Sequence, residues 1–497
     1  MSNIQNITVS EVSLELNGEL SGNGETAVTD ITHDSRQAKD GTLFVAIKGE
    51  TTDGHRFIDD VMRRGAAGVI SEFDPPDGFS GAWLKVADAR RALAKGASVT
   101  YGEPSSQIDL IGITGTNGKT TTTYLCFALA EAAGVKPAML TTVEYRIGDS
   151  SEPAVRTTPE ASDTNKFLRR AVDSGCGMAV MEASSQAIHL RRCDHLQFRV
   201  AIFTNLTRDH LDYHGTMENY FDAKKELFDG RLGTPPPVSI INIDDVWGTK
   251  LADDLRSNGQ KVVAFSQNCS ADLTAENIEV SLASGTSFIL KTPLGDINVS
   301  SPLVGKPHVY NMLAATAAAL ELGYGLDTVA VGLGKCVGAP GRFERVPNDR
   351  GLAVVVDYAH TDDALLNTLQ TARPLTKGKV ITVFGCGGDR DRTKRIPMGK
   401  AAAENSDLVI ITSDNPRNED PMAIIREIEK GVEPVGTECE VISDRREAIR
   451  KAVSIAGLDD VVIIAGKGHE TYQIIGNDKF HFDDREIAAE AIVELAD

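Results

Sequence analysis

The sequence predicts an α/β protein of three domains: a small N-terminal α/β domain, a central domain on a parallel sheet, and a C-terminal doubly wound domain. Three observations carry this. A chain of 497 residues is long enough for about three domains of roughly 150 residues, each with its own core. Short apolar runs such as Met178-Ala-Val-Met181 and Val461-Val-Ile-Ile-Ala465 alternate with helical patterns, as parallel strands covered on both faces do. Two breaks, Glu103-Pro-Ser-Ser106 and Val337-Gly-Ala-Pro-Gly341, interrupt that alternation and set the domains at residues 1–106, 107–338 and 339–497.

In the first domain, residues 41–47 read as extended, 56–65 as helical and 68–70 as a second strand. The central domain opens on the buried-strand pattern Ile108-Asp-Leu-Ile-Gly-Ile113, which runs into a glycine-rich turn; 178–181, 200–203 and 238–242 are further strands. In the last domain 352–356, 380–384, 408–411 and 461–465 are strands separated by helical patterns, a Rossmann-like arrangement.

Composition narrows the function. With 41% hydrophobic and 25% charged residues the chain is ordinary folded protein, and aromatic residues at 5% are too sparse for base-stacking platforms. A formal charge of −20 argues against nucleic acid as a partner while leaving room for a local basic pocket. Seven cysteines without a CxxC pair imply reduced thiols rather than disulfides or a zinc site. No stretch approaches the roughly 20 apolar residues of a membrane span, and the first residues lack a basic run followed by an apolar core. The expected location is the cytoplasm.

Residues 112–121, Gly-Ile-Thr-Gly-Thr-Asn-Gly-Lys-Thr-Thr, follow a strand and open a helix, where backbone N–H groups and the helix dipole can cradle phosphates. Lys119 would touch the outer phosphates and Thr120 would bind Mg²⁺. Ile113 stands where the common G-x-x-x-x-G-K-[ST] spacing needs glycine. This loop makes the central domain a P-loop-type ATPase domain, but motors, kinases and ligases share it, so it leaves the reaction open. Glu182 ends a predicted strand, placed either to hold Mg²⁺ or to serve as a surface or helix-cap carboxylate. His210 and His214, after the 200–203 strand, read as ligand, base or structural histidine.

Together the phosphate loop, Met181-Glu-Ala-Ser-Ser185, the run Thr-Arg-Asp-His-Leu-Asp-Tyr-His-Gly-Thr at 207–216 and Tyr220-Phe-Asp-Ala-Lys224 resemble the Mur ligases in order and spacing across the central domain. The resemblance implies ATP binding by Gly115, Thr116, Asn117, Gly118, Lys119, Thr120 and Thr121, joined by Asn311, Arg342 and Asp357. It implies two Mg²⁺ ions, one on Thr120 and Glu182, the other on His210 and a carbamylated Lys224, with Lys119, Lys224 and His210 as the catalytic residues. Without it, Lys224 would read as a helix-surface lysine. A lysine in a desolvated site has a lowered pKa, and only its neutral amine captures CO₂.

The outer domains carry the resemblance further. Thr32-His-Asp-Ser-Arg36 is similar to a uridine-nucleotide-binding segment, with Ser35 as the contact and Glu50-Thr-Thr52 nearby. Thr157, Thr158, Ser184 and Arg192 align with contacts to the muramoyl peptide, while Leu190 departs from the Gln of some relatives. His308 likewise replaces a usual Asn. Residues 414–417, Asp-Asn-Pro-Arg, resemble the diaminopimelate-recognition motif; on the residues alone they read as a turn with a solvated arginine. Diaminopimelate carries a distal carboxylate that a guanidinium can bind through two parallel hydrogen bonds, and lysine does not. Arg390, Asp414, Asn415, Pro416, Arg417, Gly466 and Glu470 make up the implied amino-acid site.

The implied activity is ATP-dependent addition of meso-diaminopimelate to UDP-N-acetylmuramoyl-L-alanyl-D-glutamate through an acyl phosphate, in peptidoglycan synthesis, by a monomer whose domains close on the ligands. Unchanged small-angle scattering on adding all ligands would count against closure. A lysine-adding ligase and a folate polyglutamate ligase are the enzyme alternatives. A nucleotide-dependent switch or motor is the alternative of another class, marked by robust ATPase activity without UDP-sugar or amino acid.

Overall fold

Parallel strands dominate three separate sheets in the computed structural model, which describes residues 7–49, 52–282 and 284–495. By contacts the chain divides into two units, one comprising residues up to Thr274 with Thr292–Leu294 and Leu313–Gly332, the other Ala275–Lys291, Gly295–Met312 and residues from Leu333 on.

In the first unit, strands β1 (Glu19–Ser21), β2 (Asp30–Thr32), β3 (Thr42–Val45), β4 (Gly68–Ser71) and β5 (Trp83–Lys85) form a sheet of order β1-β5-β4-β3-β2. Helix α1 (Ala89–Thr100), capped by the Asp88 carboxylate, buries Leu93, Ala94 and Ala97 beside Leu43, Val45 and Ile70. The segment expected as one helix over 56–65 is a 3₁₀ turn, Gly54–Phe57, followed by the helix Ile58–Arg63. Asp53 caps that turn and Gly65, at φ 87°, ends the helix in the left-handed region that glycine supplies. Residues Glu50 and Thr51 lie outside the described residues.

The second sheet of this unit is centred on β6 (Asp109–Thr114), which leads into α2 (Lys119–Ala132). Around it stand β7 (Pro137–Leu140), the hairpin β8 (Glu144–Ile147) and β9 (Ser150–Pro153), then helix α3 (Ala161–Asp173), β10 (Met178–Glu182), β11 (Val200–Phe203), helix α4 (Met217–Lys225), β12 (Val238–Asn242) and β13 (Val262–Ser266). Eight strands of this sheet run in the order β9-β8-β7-β10-β6-β11-β12-β13, parallel from β7 to β13. Ala179, Met181, Ala201 and Phe203 face one core with Phe167, Leu168, Phe221 and Phe228; each of the Met, Leu and Phe side chains contributes about 1.5–3 kcal/mol on burial. This arrangement brings the C-terminal ends of β6, β10 and β11 side by side, where open α/β sheets gather ligands.

The second unit carries β14 (Glu344–Arg345), β15 (Ala353–Asp357), helix α5 (Asp362–Ala372), β16 (Val380–Phe384), helix α6 (Arg395–Asn405), β17 (Leu408–Ile411), helix α7 (Pro421–Val432), β18 (Glu438–Val441), helix α8 (Arg445–Ile455), β19 (Val461–Ala465) and helix α9 (Asp484–Glu494). Its sheet order is β14-β15-β19-β16-β17-β18. Alternate strand residues feed two cores: Val355, Val409 and Ile463 join Leu365, Met398 and Ile425 on one face, while Val354, Ile410 and Ile464 join Ile449, Val453 and Ile487 on the other. That is a doubly wound sheet. Among the described residues no helix is long and apolar enough to cross a membrane.

Candidate functional site

The turn between β6 and α2 is built from backbone conformations that glycine supplies: Gly115 has φ 146° and Gly118, the residue before α2, has φ 87°. A Cβ at Gly115 would run into Thr204 Oγ1. The segment after β11 holds the loop: Asn117 N donates to Asn205 Oδ1 at 2.9 Å, Thr204 Oγ1 to Asn117 O at 2.6 Å and Thr116 N to Asn205 O at 2.9 Å. Lys119 Nζ folds back onto Gly115 O and Thr116 O, both at 2.9 Å. Thr121 is buried at the start of α2.

Glu182 is fully buried, so it is no surface carboxylate. Thr120 Oγ1 donates to its Oε1 at 3.0 Å, and Thr142 N donates to the same oxygen at 2.9 Å. Thr157 and Thr158 join this cluster: Thr142 Oγ1 donates to Thr157 Oγ1 at 3.1 Å, and Thr158 Oγ1 to the Glu182 carbonyl at 2.8 Å. Ser184 N donates to Thr158 Oγ1 at 3.1 Å, and Arg192 donates to the Thr158 carbonyl at 3.2 Å while pairing with Glu160 at 2.8 Å.

Lys224, at the end of α4, is 1% exposed and donates to Gly115 O at 2.9 Å. Tyr220, one helical turn earlier, lays its ring 4.5 Å from the Lys224 nitrogen, and its hydroxyl sits 3.2 Å from Thr116 Oγ1. Burial, then the charge of Lys119, holds the Lys224 amine well below its ordinary pKa. His210 has φ 52° and a half-exposed ring; burial, with Lys119 and Lys224 nearby, lowers its pKa against the pull of Asp209. His214 is buried, with its Nε2 3.0 Å from Ser185 Oγ.

A cleft of about 1010 Å³ in the same unit is lined by residues 32–37, including Ser35, and by Arg156, Glu160, Leu190, Arg192 and Tyr213. It thus brings Ser35 and Arg192 to one cavity.

In the second unit the loops after β16, β17 and β19 meet. Arg417, at φ 51°, is half-buried and donates to the carbonyls of Gly388 at 2.8 Å and Asn415 at 3.4 Å. It is not the solvated turn arginine that its residues alone suggest. Asn415 Nδ2 donates to Glu470 Oε2 at 2.9 Å; Lys467 Nζ donates to Asp414 Oδ1 at 3.2 Å and Asn415 Oδ1 at 3.1 Å. Pro416, between Asn415 and Arg417, is buried. Gly466 takes φ 114°, its Cα side turned to Asp414, and exposed Arg390 shares with Arg417 the space beside Gly387. Burial, then the charge of Asp414, raises the Glu470 carboxyl pKa.

The three other predicted ATP residues also lie outside the phosphate loop. Asp357, at the end of β15, accepts from Phe343 N at 2.6 Å and Thr368 Oγ1 at 2.9 Å, and Arg342 stacks 4.6 Å over the Tyr358 ring. Asn311 is buried in the helix Lys306–Glu321.

Comparison with known proteins decides the family. A model described as the Mur ligase middle domain matches residues 113–319, the Mur ligase glutamate ligase domain matches 341–468, and the model described as Mur ligase family, catalytic domain matches 27–77. The UDP-N-acetylmuramoyl-L-alanyl-D-glutamate--2,6-diaminopimelate ligase of Geobacter metallireducens is 48% identical over 485 residues, covering 93% of this chain and 94% of that protein. The chain belongs to the Mur ligase family. A ligase of the same name from Geobacter sulfurreducens is 45% identical over 477 residues, covering 92% of this chain and 93% of that protein. A solved structure of a UDP-N-acetylmuramoyl-L-alanyl-D-glutamate--2,6-diaminopimelate ligase superposes with a TM-score of 0.73 at 32% identity over 99% of this chain and all of that one.

Reading the sequence for Mur ligase motifs missed two residues of these clusters. Thr142 carries no signal before the fold places it against Glu182. Lys467 does carry one, a lysine between two glycines in Gly466-Lys-Gly-His-Glu470.

Proposed function

We propose that the chain is an ATP-dependent ligase that joins meso-2,6-diaminopimelate to UDP-N-acetylmuramoyl-L-alanyl-D-glutamate, releasing ADP and phosphate, in cytoplasmic peptidoglycan synthesis. The observation that carries this reading is the cluster Asp414-Asn415-Arg417-Glu470 in a chain whose relatives at 45–48% identity bear that activity in their names. A zwitterionic distal centre needs a guanidinium for its carboxylate and an acid for its ammonium. Arg417 with Arg390 supplies the first, Glu470 with Asp414 the second, and Gly466 lets the backbone approach. The division at residues 106 and 338 gives the UDP-sugar, ATP and the amino acid a domain each, and the chain acts as a monomer.

The 1010 Å³ cleft takes the UDP-muramoyl dipeptide, with Ser35 on the nucleotide side and Arg192 on the peptide side, and Thr157, Thr158 and Ser184 meet the peptide from the hydrogen-bonded cluster next to Arg192. The phosphate loop, residues 115–121, offers its N–H groups to the ATP phosphates. Lys119 exchanges its two carbonyl partners for the outer phosphates. Asn311 serves the adenine, Arg342 the phosphates and Asp357 the ribose. The D-glutamyl γ-carboxylate attacks the γ-phosphorus, ADP leaves, and the diaminopimelate amine attacks the acyl phosphate carbonyl, expelling phosphate and losing a proton.

The donor chemistry fits two Mg²⁺ ions. Thr120 and Glu182 present hard oxygens 3.0 Å apart that would hold one. His210, kept neutral by burial, and Lys224 would hold the second once the neutral Lys224 amine has taken up CO₂ as a carbamate and released a proton. Bound there, Mg²⁺ offsets the repulsion between carboxylate and triphosphate. The test is product mass: ATP, Mg²⁺, UDP-dipeptide and meso-diaminopimelate should give the UDP-tripeptide, and recovery of unchanged dipeptide would overturn the reading.

A further inference from the structure

We infer that Lys467 is a positioning residue for amino-acid selection: its buried ammonium sets the charge and the orientation of the carboxylate side of the diaminopimelate site. The inference rests on the amino-acid site proposed above and adds a residue that the proposed mechanism leaves without a role.

Lys467 is 0% exposed, on the loop that follows β19. A buried ammonium is costly unless it is paired and hydrogen-bonded. Here three partners share it: Asp414 Oδ1 at 3.2 Å, Asn415 Oδ1 at 3.1 Å and Glu470 Oε2 at 3.6 Å. Two consequences follow. First, Asp414 and Glu470 together bring two negative charges to a site whose ligand offers one distal ammonium; Lys467 cancels one of them, so the site matches a single cation. Second, Asn415 Oδ1 accepts from both Lys467 and Ile474 N, the latter at 2.9 Å. That turns the amide nitrogen toward Glu470, where it donates at 2.9 Å. The Glu470 carboxylate is thus held from two sides, by the lysine charge and by an amide whose orientation the lysine fixes.

The neighbouring cations make their hydrogen bonds elsewhere, while Arg445 feels the charges of Asp414 and Glu470 only at longer range. Arg417 bonds the Gly388 and Asn415 carbonyls, and Arg445 is occupied by Asp484 and the Ala465 carbonyl. Tyr472 covers the ammonium from 5.8 Å. Among the described residues Lys467 is therefore the cation in contact with both carboxylates, and its position in the chain, flanked by Gly466 at φ 114° and Gly468 at φ 53°, lets the loop fold tightly enough to bury it.

Lys467→Met keeps the length and removes the charge. The expected result is a KM for meso-diaminopimelate raised roughly ten- to hundredfold, with KM for ATP and for the UDP-dipeptide within twofold of wild type. The acid limb of kcat/KM for diaminopimelate should also move to higher pH, because Lys467 favours the ionised form of Glu470. Lys467→Arg, which keeps the charge, should restore the acid limb. An unchanged KM for diaminopimelate in Lys467→Met overturns the inference, and so does an equal loss toward all three substrates with no movement of the pH profile. Glu470→Gln, assayed alongside, separates the two levels. If it leaves KM for diaminopimelate unchanged, the site reading itself fails; if it raises KM while Lys467→Met does not, only the role of Lys467 fails.

Discussion

Lys224 Nζ lies 2.9 Å from the carbonyl oxygen of Gly115, so a lysine at the end of one helix is bonded to the phosphate loop that precedes another. Its burial lowers the amine pKa, and the direction matters: a lower pKa leaves more neutral amine at neutral pH, and the neutral amine is what reacts with CO₂. Activity should fall in CO₂-depleted buffer as pH is lowered through the range where the amine protonates, and should return on adding bicarbonate. Lys224→Met should lose at least about a hundredfold in kcat and show no bicarbonate response. Phosphate release at fixed pH with and without bicarbonate checks this; an insensitive wild type contradicts it.

Glu182 accepts from Thr120 and Thr142. Replacing it by Gln keeps the shape and removes the charge, so the Mg²⁺ concentration for half-maximal activity should rise by about tenfold or more. A magnesium titration of Glu182→Gln that overlays the wild type would remove Glu182 from the metal site.

Gly115→Ala forces a Cβ against Thr204 Oγ1 at φ 146°. The loop must shift, and ATP affinity should drop by about tenfold or more. Thermal melting with and without ATP measures this: the mutant should fold and lose the ATP-induced rise in Tm.

In the second unit, Arg445 and Asp484 are both fully buried and joined by bonds of 2.8 and 2.7 Å. Removing one partner strands the other charge, so Arg445→Met should destabilise folding by about 3–5 kcal/mol. Urea unfolding followed by circular dichroism gives the value; a change below 1 kcal/mol would mean that the pair is not sealed from water.

Much of this was legible in the sequence because buried parallel strands are written as apolar runs. β10, β11, β12, β16, β17 and β19 stand where residues 178–181, 200–203, 238–242, 380–384, 408–411 and 461–465 place them. The hairpin β8–β9 and the edge strand β18 were not legible, since Ser-Ser-Glu-Pro at 150–153 and Glu-Cys-Glu-Val at 438–441 are largely exposed and read as loop. The phosphate loop announces itself through its glycines and Lys119. Lys224 and Lys467 are marked in the sequence, one by the run that ends in it and the other by its two flanking glycines, but their burial is created by residues distant in sequence, Gly115 for one and Asp414 for the other.

The central claim is the choice of amino acid, and Arg417 carries it. The most direct measurement is kcat/KM for meso-diaminopimelate against L-lysine, read by phosphate release with the UDP-dipeptide and confirmed by product mass, in the wild type and in Arg417→Ala. The account predicts a wild-type preference for diaminopimelate of at least about a hundredfold that falls by roughly ten- to hundredfold in the variant. Equal or better use of lysine by the wild type, or a preference untouched by Arg417→Ala, would contradict it.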